Sequence, residues 1–510
     1  MTALNSWILS CLIFCPLVGA VLVGMMPRRV AREGALVVAL VNLAFALHMV
    51  AHWGEKVSTL ATGQTIRFEE SAPLMPQWGI SYHLGVDGIS AGLILLTAFL
   101  TPIILIAQWN ALGERVREWA VWLLVLEGAV MGVFSALDVI LFYIFWEAVL
   151  VPVFVQMVGW GGANRAKAAG KFFVYTMFGS VLMWMAMLYV YFQQPAATRS
   201  FDYVPFMQAA KALPAEIALL LFGAFAIAFA IKAPVFPLHT WLPDTYRESP
   251  TGTTVMLAAI LSKMGVYGFM RFAIPFFPEA ARVAAPLMIA LAAVGIIYGA
   301  IVAAAQTDIK RLLAYSSVSH VALIVLGVFA AVLAGTNGEI AATGAAMQMV
   351  NHGLSTGALF LLAGFLFERR GTYEQSEFGG VATAMPRYTI LFWVAMFASI
   401  GLPGLNGFVG EYLILQGAMS AGFIYAALGA TGVVLGAIYM LRMFRHVAYG
   451  EATREENRSL RDVSGRETVA LALVLAVIVW LGVAPQRYLN IINPDAKASL
   501  PADQAVALRP

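Results

Sequence analysis

Charged residues are scarce in this sequence. Only 12% of its 510 residues are Asp, Glu, Lys or Arg, whereas 61% are hydrophobic. Soluble domains are about a quarter charged, so this chain has too few charges to cover a folded surface in water. The composition excludes an ordinary soluble globular protein and predicts an integral membrane protein whose surface is largely covered by lipid.

The sequence is also poor in cysteine, with Cys11 and Cys15 as its two thiols. Two thiolates are too few for an iron–sulfur cluster or a closed zinc site. The sequence also lacks the glycine-rich turn of a dinucleotide site and the P-loop. We therefore expect no cofactor and no metal in this chain, and the sequence predicts no nucleic-acid partner.

Long apolar runs dominate what remains. A helix that crosses a membrane needs about 20 mostly apolar residues, and the chain offers about fourteen such spans in a single all-α membrane domain, 1–510. The predicted spans are 7–26, 34–53, 86–108, 117–135, 137–160, 168–192, 216–242, 250–273, 283–306, 311–334, 341–367, 387–419, 421–447 and 467–485.

The loops between these spans differ in their content of basic residues. Alternate loops place 20 lysines and arginines on one side of the membrane and 8 on the other. The positive-inside rule makes the richer side cytoplasmic. The count predicts both chain termini on the periplasmic side of a bacterial inner membrane. Arg271 lies near the outer end of its span, where we expect it to extend to the interface.

Several ionisable residues fall inside the predicted spans, where a charge costs a few kcal/mol or more and usually faces a wet cavity or a partner. They combine carboxylates, amines and imidazoles, which supply donors and acceptors of graded proton affinity. Histidine titrates close to neutrality and suits a relay. A structural role also fits some of them, because a buried Glu–Lys pair can fix helix register and a histidine can join two helices. The candidates are Glu127, Glu147, Lys232, Lys263, His320, His352 and Glu411.

Two spans contain residues that break helices. Pro234 follows Lys232, and Pro403 lies in a glycine-rich stretch just before Glu411. Proline removes a backbone donor, and such breaks survive in membranes only where they line a cavity or are buried in protein.

The two breaks occupy matching places in the chain. The fourth to eighth spans and the ninth to thirteenth spans form two sets of five, 117–273 and 283–447, and the fourth member of each set is broken. Five is odd, so the second set enters the membrane in the opposite sense. This is the pattern of inverted-repeat transporters, whose ion sites lie at broken helices near the midplane.

Three longer strings resemble the antiporter-like subunits of respiratory complex I. They are KAPVFPLHTWLPDTYRESPT (232–251), DIKRLLAYSSVSHV (308–321) and NHGLSTGALFLLAG (351–364). The resemblance covers essentially the whole chain. In this family a glutamate after the second break is typical of M-type subunits, whereas L-type and N-type subunits carry lysine there, and this chain has Glu411.

The resemblance implies roles for individual residues. Glu147 matches a glutamate that pairs with the lysine matched by Lys232, Lys263 matches a central lysine, and Glu411 matches a terminal glutamate. His320 and His352 match positions on the hydrophilic axis between two half-channels. No role carries over to Glu127, and His239 and Asp138 are further accessory candidates.

The family implies a function in a larger assembly. Electron transfer from NADH to quinone in partner subunits would drive proton movement here, with flavin, iron–sulfur clusters and quinone held by those partners. The expected neighbours are other complex I subunits, especially two antiporter-like ones, within the lipid bilayer. Subunits of multi-chain Na+/H+ antiporters and of membrane-bound hydrogenases share the motifs and remain alternatives. A purely structural membrane spacer is a third.

Overall fold

A computed structural model describes residues 3–60, 64–111, 113–452 and 454–501. The two chain termini, predicted to be periplasmic, lie outside the described residues. Helices of the first half are α1 (Ile8–Met25), α2 (Arg28–Ala51), α3 (Gly88–Ala107), α4 (Val116–Ser135), α5 (Val139–Ala148), α6 (Leu150–Trp160), α7 (Arg165–Gln193), α8 (Tyr203–Lys211), α9 (Ala215–Lys232), α10 (Leu242–Glu248), α11 (Thr251–Met256), α12 (Ser262–Gly268) and α13 (Ile274–Phe276). Helices of the second half are α14 (Pro278–Ala305), α15 (Ile309–Ala334), α16 (Glu339–Arg370), α17 (Val381–Ala384), α18 (Pro386–Ser399), α19 (Asn406–Ala421), α20 (Phe423–Ala448), α21 (Glu455–Arg458), α22 (Gly465–Val483) and α23 (Gln486–Ala498).

The described residues contain 12 helical stretches that are long and apolar enough to cross a membrane. One stretch, Ile309–Arg370, holds two predicted spans because α15 and α16 follow each other across a short 3₁₀ turn. The predicted span 387–419 is divided between α18 and α19. Each predicted span overlaps at least one of these helices, whereas the count of fourteen crossings and the grouping into two inverted repeats stay predictions.

Helix breaks lie beside two of the ionisable candidates. Helix α9 ends at Lys232 and α10 begins at Leu242, and the Trp241 indole N–H spans this gap to the Ile231 carbonyl at 2.9 Å. Helix α18 ends at Ser399 and α19 begins at Asn406. Gly401 and Gly404 in this second gap have φ of 74° and 92°, a left-handed backbone that glycine adopts without strain.

A third interruption was not predicted. The span 137–160 is divided at Val149 into α5 and α6, directly after Glu147. Pro152 has no backbone N–H to donate to the Ala148 carbonyl. Glu147 therefore lies at the end of a short helix rather than in the middle of a continuous one.

The connection between α2 and α3 folds into a three-stranded antiparallel sheet, which the all-α prediction did not include. Its strands are β1 (Val57–Thr59), β2 (Thr65–Met75) and β3 (Ile80–Val86), in the order β1-β2-β3. The first half of β2 alternates half-buried and buried residues, which is the period of a strand with one covered face.

His83 fastens this sheet to the segment before α8. Its Nδ1 lies 2.5 Å from Asp202 Oδ2 and its Nε2 lies 3.0 Å from Glu69 Oε1. Burial opposes the charge on the ring, but the hydrogen bonds and charges of Asp202 and Glu69 outweigh it and raise the pKa of His83. The imidazolium thus joins β2, β3 and the chain before α8.

The raised pKa of His83 predicts a dependence of stability on pH. A raised histidine pKa contributes stability that is fully present below the unfolded value, about 6.5, and is lost as pH rises through the folded pKa. We expect a loss of about 1 kcal/mol across that range. Thermal unfolding measured from pH 6 to pH 9 should show it in the wild type and not in His83→Gln. Equal pH profiles for the two proteins would contradict this assignment.

Two basic residues occupy environments that the sequence analysis did not anticipate. The expectation that Arg271 extends to the interface is wrong, because it is 5% exposed and its Nη1 lies 3.0 Å from Asp87 Oδ2 at the start of α3. Lys310, counted with the loops, is buried at the start of α15 and donates to the Ser249 carbonyl at 2.5 Å. Both partners come from distant parts of the chain.

Candidate functional site

Lys263 lies in the interior of the helical bundle and is 0% exposed. A π-helical turn, Leu257–Leu261, comes directly before α12, and such turns are frequent at functional sites. The Ala258 carbonyl in this turn accepts hydrogen bonds from Ser262 Oγ and Lys263 Nζ. Lys263 Nζ also lies 3.1 Å from Ser262 Oγ and 2.7 Å from His352 Nδ1 on α16. No carboxylate among the described residues contacts the amine.

Two histidines continue from this amine. The rings of His352 and His320 have centroids 5.4 Å apart, and His320 Nδ1 lies 3.2 Å from Glu411 Oε1. The Nε2 atoms of both histidines are buried and have no hydrogen-bond partner among the described residues. Lys263, His352, His320 and Glu411 thus form one continuous row, which we call the central axis.

The second helix break places Glu411 at the end of this axis. Glu411 is 3% exposed, and Gln348 Nε2 donates to its Oε1 at 3.2 Å. Asn351 and Asn406 exchange hydrogen bonds, each side chain donating to the other's carbonyl at 2.7 and 3.1 Å. These bonds join α16 to the first residue of α19, so the chain satisfies the backbone that the break opens.

Close helix packing keeps the axis in register. A Cβ on Gly344 of α16 would lie 2.6 Å from the Ile414 backbone nitrogen, and one on Gly265 of α12 would lie 2.4 Å from the Phe229 carbonyl. Small residues at such crossings allow helix backbones to approach closely. The axis therefore depends on contacts of α16 with α19 and of α12 with α9.

The central axis has the composition of a proton relay. An amine, two imidazoles and a carboxylate follow one another across four elements, and each can bind and release a proton. Histidine alternates its donor and acceptor nitrogens, and each ring has one contacted and one unpartnered nitrogen. Within the described residues no group of three or more His, Cys, Asp or Glu is placed to hold a metal ion.

Glu147 and Lys232 form a second, looser group. They interact electrostatically, but Lys232 Nζ has no hydrogen-bond partner among the described residues and lies 4.7 Å from the centroid of the Trp146 ring. The Trp146 indole donates to Ser180 Oγ at 3.1 Å. The pairing that the resemblance implied is an electrostatic approach rather than a hydrogen-bonded ion pair, and the Lys232 ammonium packs against the Trp146 ring.

The accessory candidates lie away from the central axis. Glu127 is fully buried on α4, where Asn42 Nδ2 of α2 donates to its Oε1 at 2.9 Å. His239 lies in the gap after α9, with its ring 5.3 Å from that of Tyr298. Asp138 caps α5, and its Oδ2 accepts from the Ser81 backbone N–H at 2.9 Å. Asp138 thus connects α5 to the sheet.

Three polar residues near these groups escaped the sequence analysis. Gln348, Ser262 and Ser180 contact Glu411, Lys263 and Trp146 respectively. Gln348 precedes His352 by four residues, so it lies on a neighbouring part of the same helix face. That spacing was a usable signal, whereas nothing in the sequence marked the two serines, which are common in membrane helices.

Comparison with known proteins shows the family of this chain. Residues 136–439 match the family described as "NADH:quinone oxidoreductase/Mrp antiporter, TM". The NADH-quinone oxidoreductase subunit M of Rhodobacter capsulatus is 39% identical over 504 residues, which cover 96% of this chain and 95% of that protein.

Two solved structures extend the comparison. A chain of respiratory complex I from Thermus thermophilus is 32% identical with a TM-score of 0.86, covering 96% of this chain and 98% of that chain. A chain of the Mrp complex from Dietzia sp. has a TM-score of 0.84 at 19% identity, covering 98% of this chain and 97% of that chain, and so shares the fold. The chain belongs to the transmembrane family common to NADH:quinone oxidoreductases and Mrp antiporters.

Proposed function

We propose that this chain is a proton-translocating membrane subunit of a bacterial NADH–quinone oxidoreductase. The central axis is the observation that carries the proposal, because it places four proton-binding groups in succession inside a helical bundle, with Lys263 in contact with His352, His320 in contact with Glu411, and the two imidazole rings 5.4 Å apart. The relatives named NADH-quinone oxidoreductase subunit M support the type of assembly. The chain would act as part of a redox-driven translocase without carrying out redox chemistry itself.

The proposed route uses both groups of residues. Protons enter from the cytoplasmic side near Lys232 and Lys263, cross by way of His352 and His320, and leave near Glu411. The driving force comes from electron transfer in partner subunits that hold flavin, iron–sulfur clusters and quinone. Both termini face the periplasm, and antiporter-like subunits lie on either side of this chain in the inner membrane.

A subunit of a multi-chain Na+/H+ antiporter is the second candidate, favoured by the fold shared with the Mrp complex. Purification of the tagged chain in mild detergent separates the two. Co-purification of flavin, iron and NADH–quinone activity is expected. Recovery of small membrane chains alone, without flavin or iron, would overturn the respiratory assignment, and the axis would then serve an exchange of ions.

Replacing Lys232 or Glu147 by alanine tests the entry group. We expect each change to lower NADH-driven proton pumping by at least about tenfold, because each removes a group that binds and releases a proton. Pumping is measured by a pH-sensitive dye in vesicles and compared with quinone reduction. Lys211→Ala, a change of an exposed lysine on α8, serves as the control. Unimpaired pumping in both test variants would remove these residues from the route.

A further inference from the structure

A large apolar cavity lies on the opposite face of α16 from the central axis. Its volume is about 600 Å³, and it is bounded by α2, α3, α16, α22 and α23. Leu95 and Phe99 of α3 form one wall, and Val350 and Leu354 of α16 form the floor. Val350 and Leu354 flank His352 in sequence, so one helix separates this cavity from the proposed proton route.

The polar side chains among the described residues that line the cavity come from the end of α22 and the start of α23. The outer part of its lining includes Trp480 at the end of α22 and Arg487 and Tyr488 at the start of α23. Trp480 is 46% exposed, as is usual for tryptophan at a membrane–water interface. Arg487 is exposed, and no ion pair or hydrogen bond of its guanidinium is found among the described residues.

The Tyr488 side chain also lines the cavity. Its hydroxyl is buried against Gly92 of α3, where a Cβ would lie 2.0 Å from Oη, and it has no hydrogen-bond partner among the described residues. A buried hydroxyl without a partner costs free energy. A ligand with an ester or phosphate oxygen near this end of the cavity would supply an acceptor.

The shape and chemistry select among possible occupants. An α-helix is about 10 Å wide, so the cavity would hold between about one and two turns of it, too few for a partner's membrane helix. Water finds almost no polar partner along the apolar walls. A flexible hydrocarbon chain fills an apolar cavity and leaves its polar end at the mouth.

We propose that this cavity binds an acyl chain of an anionic phospholipid, with the phosphate beside Arg487. The chain packs on Leu95, Phe99, Val350 and Leu354, and the headgroup contacts the guanidinium at the membrane surface. Such a lipid supports the outer face of α16 and keeps it dry. This inference concerns a lipid site and stands apart from the proposed proton route.

Photocrosslinking in the assembled complex tests the proposal. The complex is reconstituted in vesicles that contain phosphatidylglycerol with a diazirine in its acyl chain, or the matched phosphatidylcholine. Crosslinked peptides are then mapped by mass spectrometry. We expect phosphatidylglycerol to label α3 and the Val350–Leu354 segment. Arg487→Gln should reduce the preference for phosphatidylglycerol about fivefold, the contribution of one basic residue near anionic lipid.

A filled cavity provides the second variant. Leu95→Trp places bulk in the wall and should remove most labelling of Val350–Leu354. The matched controls are Leu287→Trp, which changes an exposed leucine on α14, and Arg29→Gln, which changes an exposed arginine at the start of α2. Both should leave labelling unchanged. Labelling that is confined to lipid-facing surfaces and is equal in Leu95→Trp and the wild type would come from the surrounding bilayer alone. That result would overturn the lipid site. Equal labelling of Val350–Leu354 by both lipids would overturn the proposed preference for an anionic headgroup.

Discussion

Replacing Lys263 by methionine is expected to stop proton pumping through this chain. Methionine retains the length and much of the volume of the side chain but cannot bind a proton. His352 Nδ1 lies 2.7 Å from the Lys263 amine. Loss of the amine therefore removes the proton-binding group at one end of the central axis. We expect the rate of proton transfer to fall by about 10²-fold, within the range for loss of a positioned proton donor.

The experiment compares proton uptake by vesicles with quinone reduction by the same preparation. Ser262→Ala removes one hydrogen bond to the amine and leaves the amine in place, so a much smaller loss is expected. Lys497→Met, which changes an exposed lysine paired with Glu339, controls for loss of a positive charge. Normal pumping in Lys263→Met would show that protons bypass the central axis.

Replacing Arg271 by methionine is expected to destabilise the fold by about 3–5 kcal/mol, the usual effect of breaking a buried ion pair from one side. The change leaves Asp87 without its partner at 3.0 Å. A second carboxylate, Asp495, then remains close to Asp87, and the charge of the arginine no longer compensates theirs. Its Oδ2 accepts from the Gly88 backbone N–H at 2.7 Å and lies 3.2 Å from Arg67 Nη1. Thermal unfolding of the purified protein measures the loss.

The pH dependence of this variant identifies the cause. Burial and the charge of Asp87 raise the pKa of Asp495 to about 6. A raised carboxyl pKa favours the folded state below it and loses that contribution as pH rises through it. The destabilisation of Arg271→Met should therefore be largest above pH 6 and shrink below it, as protonation relieves the repulsion between the two carboxylates.

Two further variants complete this test. Asp87→Asn combined with Arg271→Met removes both charges, retains a side-chain oxygen to cap α3, and should recover part of the stability. Arg458→Met breaks an exposed pair with Glu455 and should change stability by about 0.5 kcal/mol or less. A loss in Arg271→Met that is small and independent of pH would show that the buried pair contributes little.

The ionisable residues inside apolar spans could be recognised from the sequence because their energetic cost is local. A lysine or glutamate inside an apolar span is unfavourable whatever the rest of the chain does, so Lys263, Lys232 and Glu411 are prominent in the sequence alone. The same holds for helix breaks, since Pro234 and Pro403 lack a backbone donor whatever the rest of the chain does. Composition and apolar run length likewise indicated the helical membrane fold.

The contacts among these residues could not be predicted in the same way. Lys263 and His352 are 89 residues apart, and Arg271 and Asp87 are 184 apart. Each contact exists only because helices distant in sequence pack side by side. Arg271 was assigned to the membrane interface because its counterion belongs to another element, and the contact of the Lys232 ammonium with the Trp146 ring depends on the same kind of packing.

The sequence by itself determined that the chain is a helical membrane protein, which ionisable residues lie within its apolar spans, and where two of its helices break. These properties follow from the cost of placing charge or open backbone in hydrocarbon, which each segment bears alone. Only the tertiary structure decided that Lys263, His352, His320 and Glu411 form one row, that a sheet joins α2 to α3, and that a cavity lies behind α16. Those features arise from the relative positions of separate helices, which no single segment specifies.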